Sequence, residues 1–195
     1  NAVSFRASLD DRSVFIKELR PRQGHKRLAD LLTPATFRNV KAARNLQNKG
    51  FQTPVPIMAT SFSTSGGIRE FLITEYLHTA KDLDQLVATT KPQKLKVILP
   101  VLARTLCRFH AKGFYSRHLR SGNIMVDLKG DDPAIWFIDL DRMTRSKMKG
   151  TSRFLSTISR AYADIYPELP DRDRSFLLAI TFDSALKRNI YHEPR

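Results

Sequence analysis

Apolar positions change their spacing several times along the chain, and each change marks an element. From Ala2 to Leu9 apolar and polar residues alternate loosely, the turn-prone pair Asp10-Asp11 follows, and Ser13-Val14-Phe15-Ile16-Lys17 is β-branched and aromatic. That spacing predicts a β-hairpin. After a basic loop from Arg20 to Arg27, Thr33-Pro34 offers a helix start with proline in the first position. Phe37, Val40, Ala43, Arg44 and Leu46 then carry a helical spacing that Gly50 stops. Thr53-Pro54-Val55-Pro56 is held extended by its two prolines. Ser61 to Gly67 reads as a polar turn with two glycines, and Glu70 to Leu77 as a buried strand.

Farther on, a short helix is expected over Asp82 to Ala88. The longest helical pattern runs from about Gln93 to Lys112, with Leu95, Ile98, Leu99, Leu102, Leu106, Phe109 and His110 on one stripe and Gly113 as its cap. Pro100 inside it either bends the helix or marks its start. Ile124 to Asp127, the turn Lys129-Gly130-Asp131-Asp132, and Ile135 to Ile138 make a second hairpin, and Thr151 to Arg188 reads as helical. The order predicts an α+β chain in two lobes: a small antiparallel sheet with one helix over 1-77, and a mainly helical lobe with one hairpin over 78-195.

Composition narrows the partners. A chain of 195 residues, 42% hydrophobic, is long enough for one sizeable core or two small lobes. Its 33 Lys+Arg against 19 Asp+Glu give a net charge of +14, which favours nucleic acid, anionic lipid or a phosphorylated glycan. Nucleic acid is disfavoured, because the basic residues are not interleaved with aromatics and no nucleic-acid motif occurs. Cys107 is the only cysteine, so neither an intramolecular disulfide nor a CxxC pair can form. A reducing, cytoplasmic compartment is the simplest reading. No apolar run approaches the roughly 18 residues of a membrane span and the first residues do not resemble a signal peptide, so membrane contact is expected to be peripheral at most. The start at Asn1 instead of Met fits a piece of a longer product.

Phosphoryl transfer asks for a cation on the nucleotide phosphates, oxygen ligands for magnesium, and a base or positioning group at the acceptor hydroxyl. Three stretches supply such parts in a consistent order. Val14-Phe15-Ile16-Lys17 places a lysine on a strand, like the Val-Ala-Ile-Lys strand of kinases. His118-Leu119-Arg120-Ser121-Gly122-Asn123 has the spacing of an Asp-Leu-x-x-x-Asn catalytic loop, and Phe137-Ile138-Asp139-Leu140-Asp141-Arg142 ends an apolar strand in a carboxylate where kinases have Asp-Phe-Gly. Phe109-His110-Ala111-Lys112-Gly113-Phe114-Tyr115 resembles the helix and turn that precede the catalytic loop in protein-kinase-like small-molecule kinases. The hairpin between them puts Asn123 and Asp139 at the two ends of one ribbon.

A narrower resemblance rests on two passages. Phe137 to Met143, followed by a basic stretch and Arg153-Phe154-Leu155-Ser156-Thr157-Ile158-Ser159, is similar to the lipopolysaccharide core kinases of heptose and Kdo type, with their Ile-Asp-Leu-x-Arg segment. Asn48-Lys49-Gly50-Phe51-Gln52-Thr53-Pro54 is similar to that family's Leu-x-x-x-Gly-Ile-x-Thr-Pro passage. The resemblance covers about Val14 to Tyr162 and implies a two-lobed protein-kinase-like fold with ATP between the lobes. On it Lys17 orients the phosphates, the backbone of Glu75, Tyr76 and Leu77 contacts adenine, Asn123 and Asp139 hold Mg2+, and His118 stands at the acceptor. The implied acceptor is a sugar hydroxyl of the lipopolysaccharide inner core, an anionic glycolipid met at the cytoplasmic face of the inner membrane, which a surface of +14 suits.

Departures from the pattern carry their own expectations. His118 replaces the catalytic aspartate, with Arg117 and Ser116 before it. A neutral imidazole accepts a proton, so the substitution is compatible with catalysis. The alternative is a pseudokinase scaffold that binds an anionic glycolipid or a protein without chemistry. Aligned on Leu46, the helix glutamate that pairs with the strand lysine in kinases is Asn39, and no carboxylate occurs from Arg38 to Arg69. Lys17 then pairs with Asp139 or with solvent. No glycine occurs between Ser8 and Asp11, where a phosphate-covering loop would turn, so either the first lobe is incomplete and lacks its first strand or nucleotide is held without that cover. Asp141 and Arg142 are expected to pair with each other or with Arg117, Asn123 to bond loop backbone as well as metal, and the basic run Arg142 to Lys149 to face solvent or the acceptor. His78, His110 and Cys107 read as core or loop residues.

Overall fold

The structure is a computed structural model that describes residues 2–19, 34–65, 67–116, 118–145 and 151–188. The basic loop Arg20 to Arg27, Arg117 and the end of the basic run after Arg145 lie outside the described residues. The chain divides into two compact units, Asn1–His78 with Asp139–Arg142, and Thr79–Ile138 with Met143–Arg195.

The first unit is a four-stranded antiparallel sheet with one helix. Strands β1 (Ala2–Leu9), β2 (Arg12–Leu19), β3 (Pro56–Thr64) and β4 (Gly67–Glu75) lie in the order β1-β2-β4-β3, and helix α1 covers Ala35–Gln47. Leu9 pairs with Arg12, and the two residues between them, Asp10 and Asp11, have φ of 46° and 62°. Positive φ at both central positions matches the twist of a two-residue hairpin, and aspartate tolerates it better than most residues. The expected hairpin therefore closes without glycine.

β4 buries Glu70, Leu72 and Thr74 on one face and leaves Phe71, Ile73 and Glu75 half-buried on the other. The strand is thus one-sided, where a buried run was expected. β3 extends to Thr64 and β4 begins at Gly67, so the polar turn is shorter than predicted. In α1 the buried face is Ala35, Thr36, Asn39, Ala42, Ala43 and Leu46, while Phe37 and Arg44 are exposed. The helix is rotated from the predicted stripe because small residues, Ala42 and Ala43, allow close approach. Pro34 is the N-cap, one place before the expected position, and its carbonyl accepts Arg38 N–H at 3.1 Å.

The second unit contains β5 (Ala80–Asp82), α2 (Leu83–Thr89), α3 (Pro92–Ala111), β6 (Phe114–Ser116), a 3-10 turn (Ser121–Asn123), β7 (Ile124–Asp127), β8 (Ala134–Phe137), β9 (Met143–Arg145), α4 (Thr151–Tyr162) and α5 (Asp171–Leu186). β5-β7-β8 form one antiparallel sheet and β6-β9 a ribbon. α3 runs unbroken through Pro100 and buries Leu95, Ile98, Leu99, Leu102, Leu106 and Phe109. It ends on Gly113, at φ 81°, whose N–H meets His110 O at 2.8 Å. The Phe109 ring packs 5.3 Å from Phe114 and 4.9 Å from Phe137, which fixes both strands that flank the loop between them.

A buried polar node joins α3, α4 and α5. Thr181 Oγ1 donates to Leu177 O at 2.7 Å, which leaves Tyr162 OH as donor in the 2.9 Å Tyr162–Thr181 bond. Cys107 Sγ reaches Thr181 O at 3.4 Å. Burial pushes the Cys107 thiol up to about 11, against a smaller opposite pull from Arg188, and burial also pushes Tyr162 above the usual phenol range. No described helix is long and apolar enough to cross a membrane.

Candidate functional site

In the first unit β2 lies between β1 and β4, and its register sets Lys17 opposite Leu72. Lys17 Nζ lies 2.6 Å from Asp139 Oδ1, with the two side chains 19% and 31% exposed. Of the two expected partners for Lys17, the structure selects the carboxylate. Asp139 has φ of 56°, a left-handed backbone in a residue that bears a Cβ. Such a position costs on the order of 1 kcal/mol and persists only where neighbours enforce it. Here they are the ion pair, the buried side chain of Leu140, and Arg38 of α1, whose Nε donates to Asp141 O at 3.3 Å. Arg142 Nε stands 3.9 Å from Asp141 Oδ2, at the limit of pairing.

No linear motif marks Glu70. It is buried on β4 with Oε2 accepting from Thr36 N–H at 2.9 Å and Thr36 Oγ1 at 3.1 Å. Pro34 has no side-chain donor or acceptor to cap α1, so a carboxylate from the sheet takes that role. The residues at the end of β4 are partly committed within this unit. Glu75 Oε1 accepts Val55 N–H at 2.8 Å, Tyr76 N–H donates to Ser13 O at 3.3 Å, and the Arg6 guanidinium lies 4.7 Å over the Tyr76 ring. Among the described residues the backbone of Leu77 makes no hydrogen bond.

In the second unit the loop Ser116 to Asn123 is organised around a main-chain carbonyl. His118 O accepts Arg120 N–H at 3.0 Å and Asn123 Nδ2 at 2.7 Å, while His118 N–H donates to Ser116 Oγ at 3.1 Å. The His118 side chain is exposed and, among the described residues, makes no hydrogen bond. Leu119 is buried and anchors the loop between two exposed residues. Ser121, fully buried, donates to Asp164 Oδ2 at 3.0 Å, a contact from the segment between α4 and α5 that the sequence did not suggest. With its amide nitrogen committed, Asn123 keeps Oδ1 as an acceptor. The β7–β8 ladder closes with Ile138 N–H on Asn123 O at 3.0 Å, and Asp139 is the next residue.

Beside this loop, Asp82 is the N-cap of α2 and Asp84 lies in its first turn. Burial, and then the neighbouring Asp84 charge, raise the Asp82 carboxyl above its ordinary value. A Cβ on Gly122 would stand 3.5 Å from Asp84 Oδ2, an ordinary contact distance, so the acidic side chain lies beside the loop without needing glycine there. Among the described residues no group of three or more His, Cys, Asp or Glu is arranged to hold a metal ion. A magnesium ion that shares its sphere with nucleotide phosphates needs only one or two protein oxygens, and Asp139 and Asn123 are of that type.

The fold has many relatives. In all, 1166 solved chains match, which by itself leaves the chemistry open. One of them, described as WaaP in complex with acyl carrier protein, matches with a TM-score of 0.65 and 19% identity over 92% of this chain and 74% of that one. At that identity the likeness shows the fold, the α+β architecture of a kinase-like protein. No curated protein matches the chain. The model of the lipopolysaccharide kinase (Kdo/WaaP) family, however, matches residues 7–178. That span takes in Lys17, the His118 loop and Asp139 together, and the chain belongs to the lipopolysaccharide kinase (Kdo/WaaP) family.

Proposed function

We propose that the protein transfers a phosphoryl group from ATP to a sugar hydroxyl of the lipopolysaccharide inner core. The observation that carries this reading is the 2.6 Å pair between Lys17 and Asp139, with Asp139 in a left-handed backbone, in a chain that belongs to a kinase family. A carboxylate kept in an unfavourable conformation beside a single cation fits a site that presents charge to a ligand better than it fits packing.

Each residue then has a defined task. Lys17 orients the nucleotide phosphates and, before nucleotide arrives, holds Asp139 in place. Glu75, Tyr76 and Leu77 meet adenine through backbone, and among the described residues both backbone groups of Leu77 are uncommitted. Asp139 and Asn123 Oδ1 are the metal ligands. Magnesium, when bound, offsets charge on the phosphate oxygens. His118 receives or positions the acceptor hydroxyl through an imidazole unengaged by the described residues, while its carbonyl keeps Asn123 oriented. The net charge of +14 supports an anionic glycolipid as acceptor and peripheral contact with an anionic membrane.

The test uses the full chain with radiolabelled ATP, Mg2+ and purified core glycolipid. Transfer is expected, with His118→Ala about 100-fold slower and His118→Asp at or above the parent rate. Nucleotide binding without transfer, unchanged by His118→Asp, would make the protein a pseudokinase. Absence of both binding and transfer sinks the reading altogether.

A further inference from the structure

The second unit holds a pocket that none of these roles uses. It has a volume of about 520 Å³, within the range of small-ligand sites, and its rim carries Lys81, Lys91 and Lys94. None of the three forms an ion pair among the described residues. Lysines grouped in one concavity repel one another, and solvated surface lysines ordinarily spread apart or find carboxylates.

Strand alternation explains why carboxylates are missing. The β5–β7 register sets Lys81 opposite Val126, so these two point to the pocket side. Asp82 opposite Met125, and Asp127 opposite Ala80, fall on the other face. Asp127 is further occupied by Thr79 Oγ1 at 2.7 Å and Lys129 N–H at 2.9 Å. The lining accordingly contains no acidic residue. Lys91 and Lys94 add to this, because they sit at the start of α3, which has no acidic residue in its first turn and no side-chain cap. Cations at that end of a helix oppose its dipole. The floor is apolar, with Leu86 and Val126 buried, and Thr90 offers a hydroxyl at the edge.

Asn123 precedes β7 and Leu128 follows it, so the pocket lies roughly 16 Å along one strand from the loop at about 3.3 Å per residue. A saccharide of a few units spans such a distance. We propose that this pocket binds an anionic saccharide, with its phosphate or carboxylate groups on Lys81, Lys91 and Lys94 and its hydroxyls on threonine. The charge argument stands alone, and the choice of a saccharide rests on the reading of the chain as a core-sugar kinase.

Calorimetric titration of the full chain with fructose bisphosphate, without ATP or metal, tests the site. Binding is expected, weakened about tenfold or more by the double substitution Lys91→Gln and Lys94→Gln and by Lys81→Gln, and unchanged by Lys17→Met. These lysines are exposed, so an unchanged melting temperature of the variants shows that folding is not at issue. Competition by core oligosaccharide identifies the acceptor itself as the source of the anion, and its absence identifies a free sugar phosphate. No binding, or binding lost with Lys17→Met but not with the pocket variants, overturns the proposal. So does capture of a glutamate-rich peptide in place of the sugar, which would make the pocket a protein-docking site. Phosphoryl transfer is not read in this titration, so failure of the kinase reading and failure of the pocket are separate results.

Discussion

Asp139 meets three demands at once: a backbone with φ of 56°, a partner for Lys17, and an oxygen donor. Substitutions separate them. Asp139→Asn keeps the backbone tolerance and removes the charge, whereas Asp139→Ala removes both. Phosphoryl transfer is expected to fall about 100-fold or more in either variant, with the melting temperature lower in the alanine variant. A transfer rate within a few-fold of the parent in Asp139→Asn would show that the charge is not used. Asp82 behaves differently, because its folded carboxyl is raised above the unfolded value of 3.8, so the folded state holds its proton more tightly. That contribution is complete at low pH and is lost as pH rises through and above the usual carboxylate range. Asp82→Asn is therefore expected to be more stable than the parent at neutral pH, with the difference vanishing as pH falls toward 3.8, as urea denaturation across pH will show. The Lys17–Asp139 pair and the bond from Asn123 to loop backbone were legible because each residue sits in a short linear motif. Asp164 was not, since its partner Ser121 is 43 positions away and nothing near Asp164 signals it.

Elements were legible where large apolar residues set the period, and displaced where small ones did. The α3 stripe from Leu95 to Phe109 holds in full, and Pro100 leaves it unbroken because a proline removes one backbone donor without removing the buried leucines around it. For α1 the predicted stripe included Phe37, which is exposed, since alanines form its contact face. Its N-terminus depends on Glu70, 34 positions away from Thr36. Glu70→Ala leaves the Thr36 N–H without that acceptor in a buried place and is expected to cost about 1–3 kcal/mol in urea unfolding. Glu70→Gln, which retains an acceptor oxygen, is expected to cost less. Equal and negligible losses would show that α1 is held by its alanines alone.

At the scale of the whole molecule, a net charge of +14 favours anionic surfaces through ionic attraction. Co-sedimentation with vesicles that contain anionic lipid is expected to be strong in dilute buffer and to fall steeply as salt shortens the screening length. Binding to neutral vesicles that salt does not affect would point instead to an apolar insertion.

The capping of α1 by Glu70 has a consequence for control. In protein kinases one glutamate on the corresponding helix both seats the helix and grips the strand lysine, so helix position acts as a latch. In this chain the two jobs are divided: Glu70 seats the helix and Asp139 grips Lys17. A swing of α1 would therefore reach the lysine only indirectly, by drawing Arg38 away from Asp141 O and loosening the segment that holds Asp139 in its left-handed backbone.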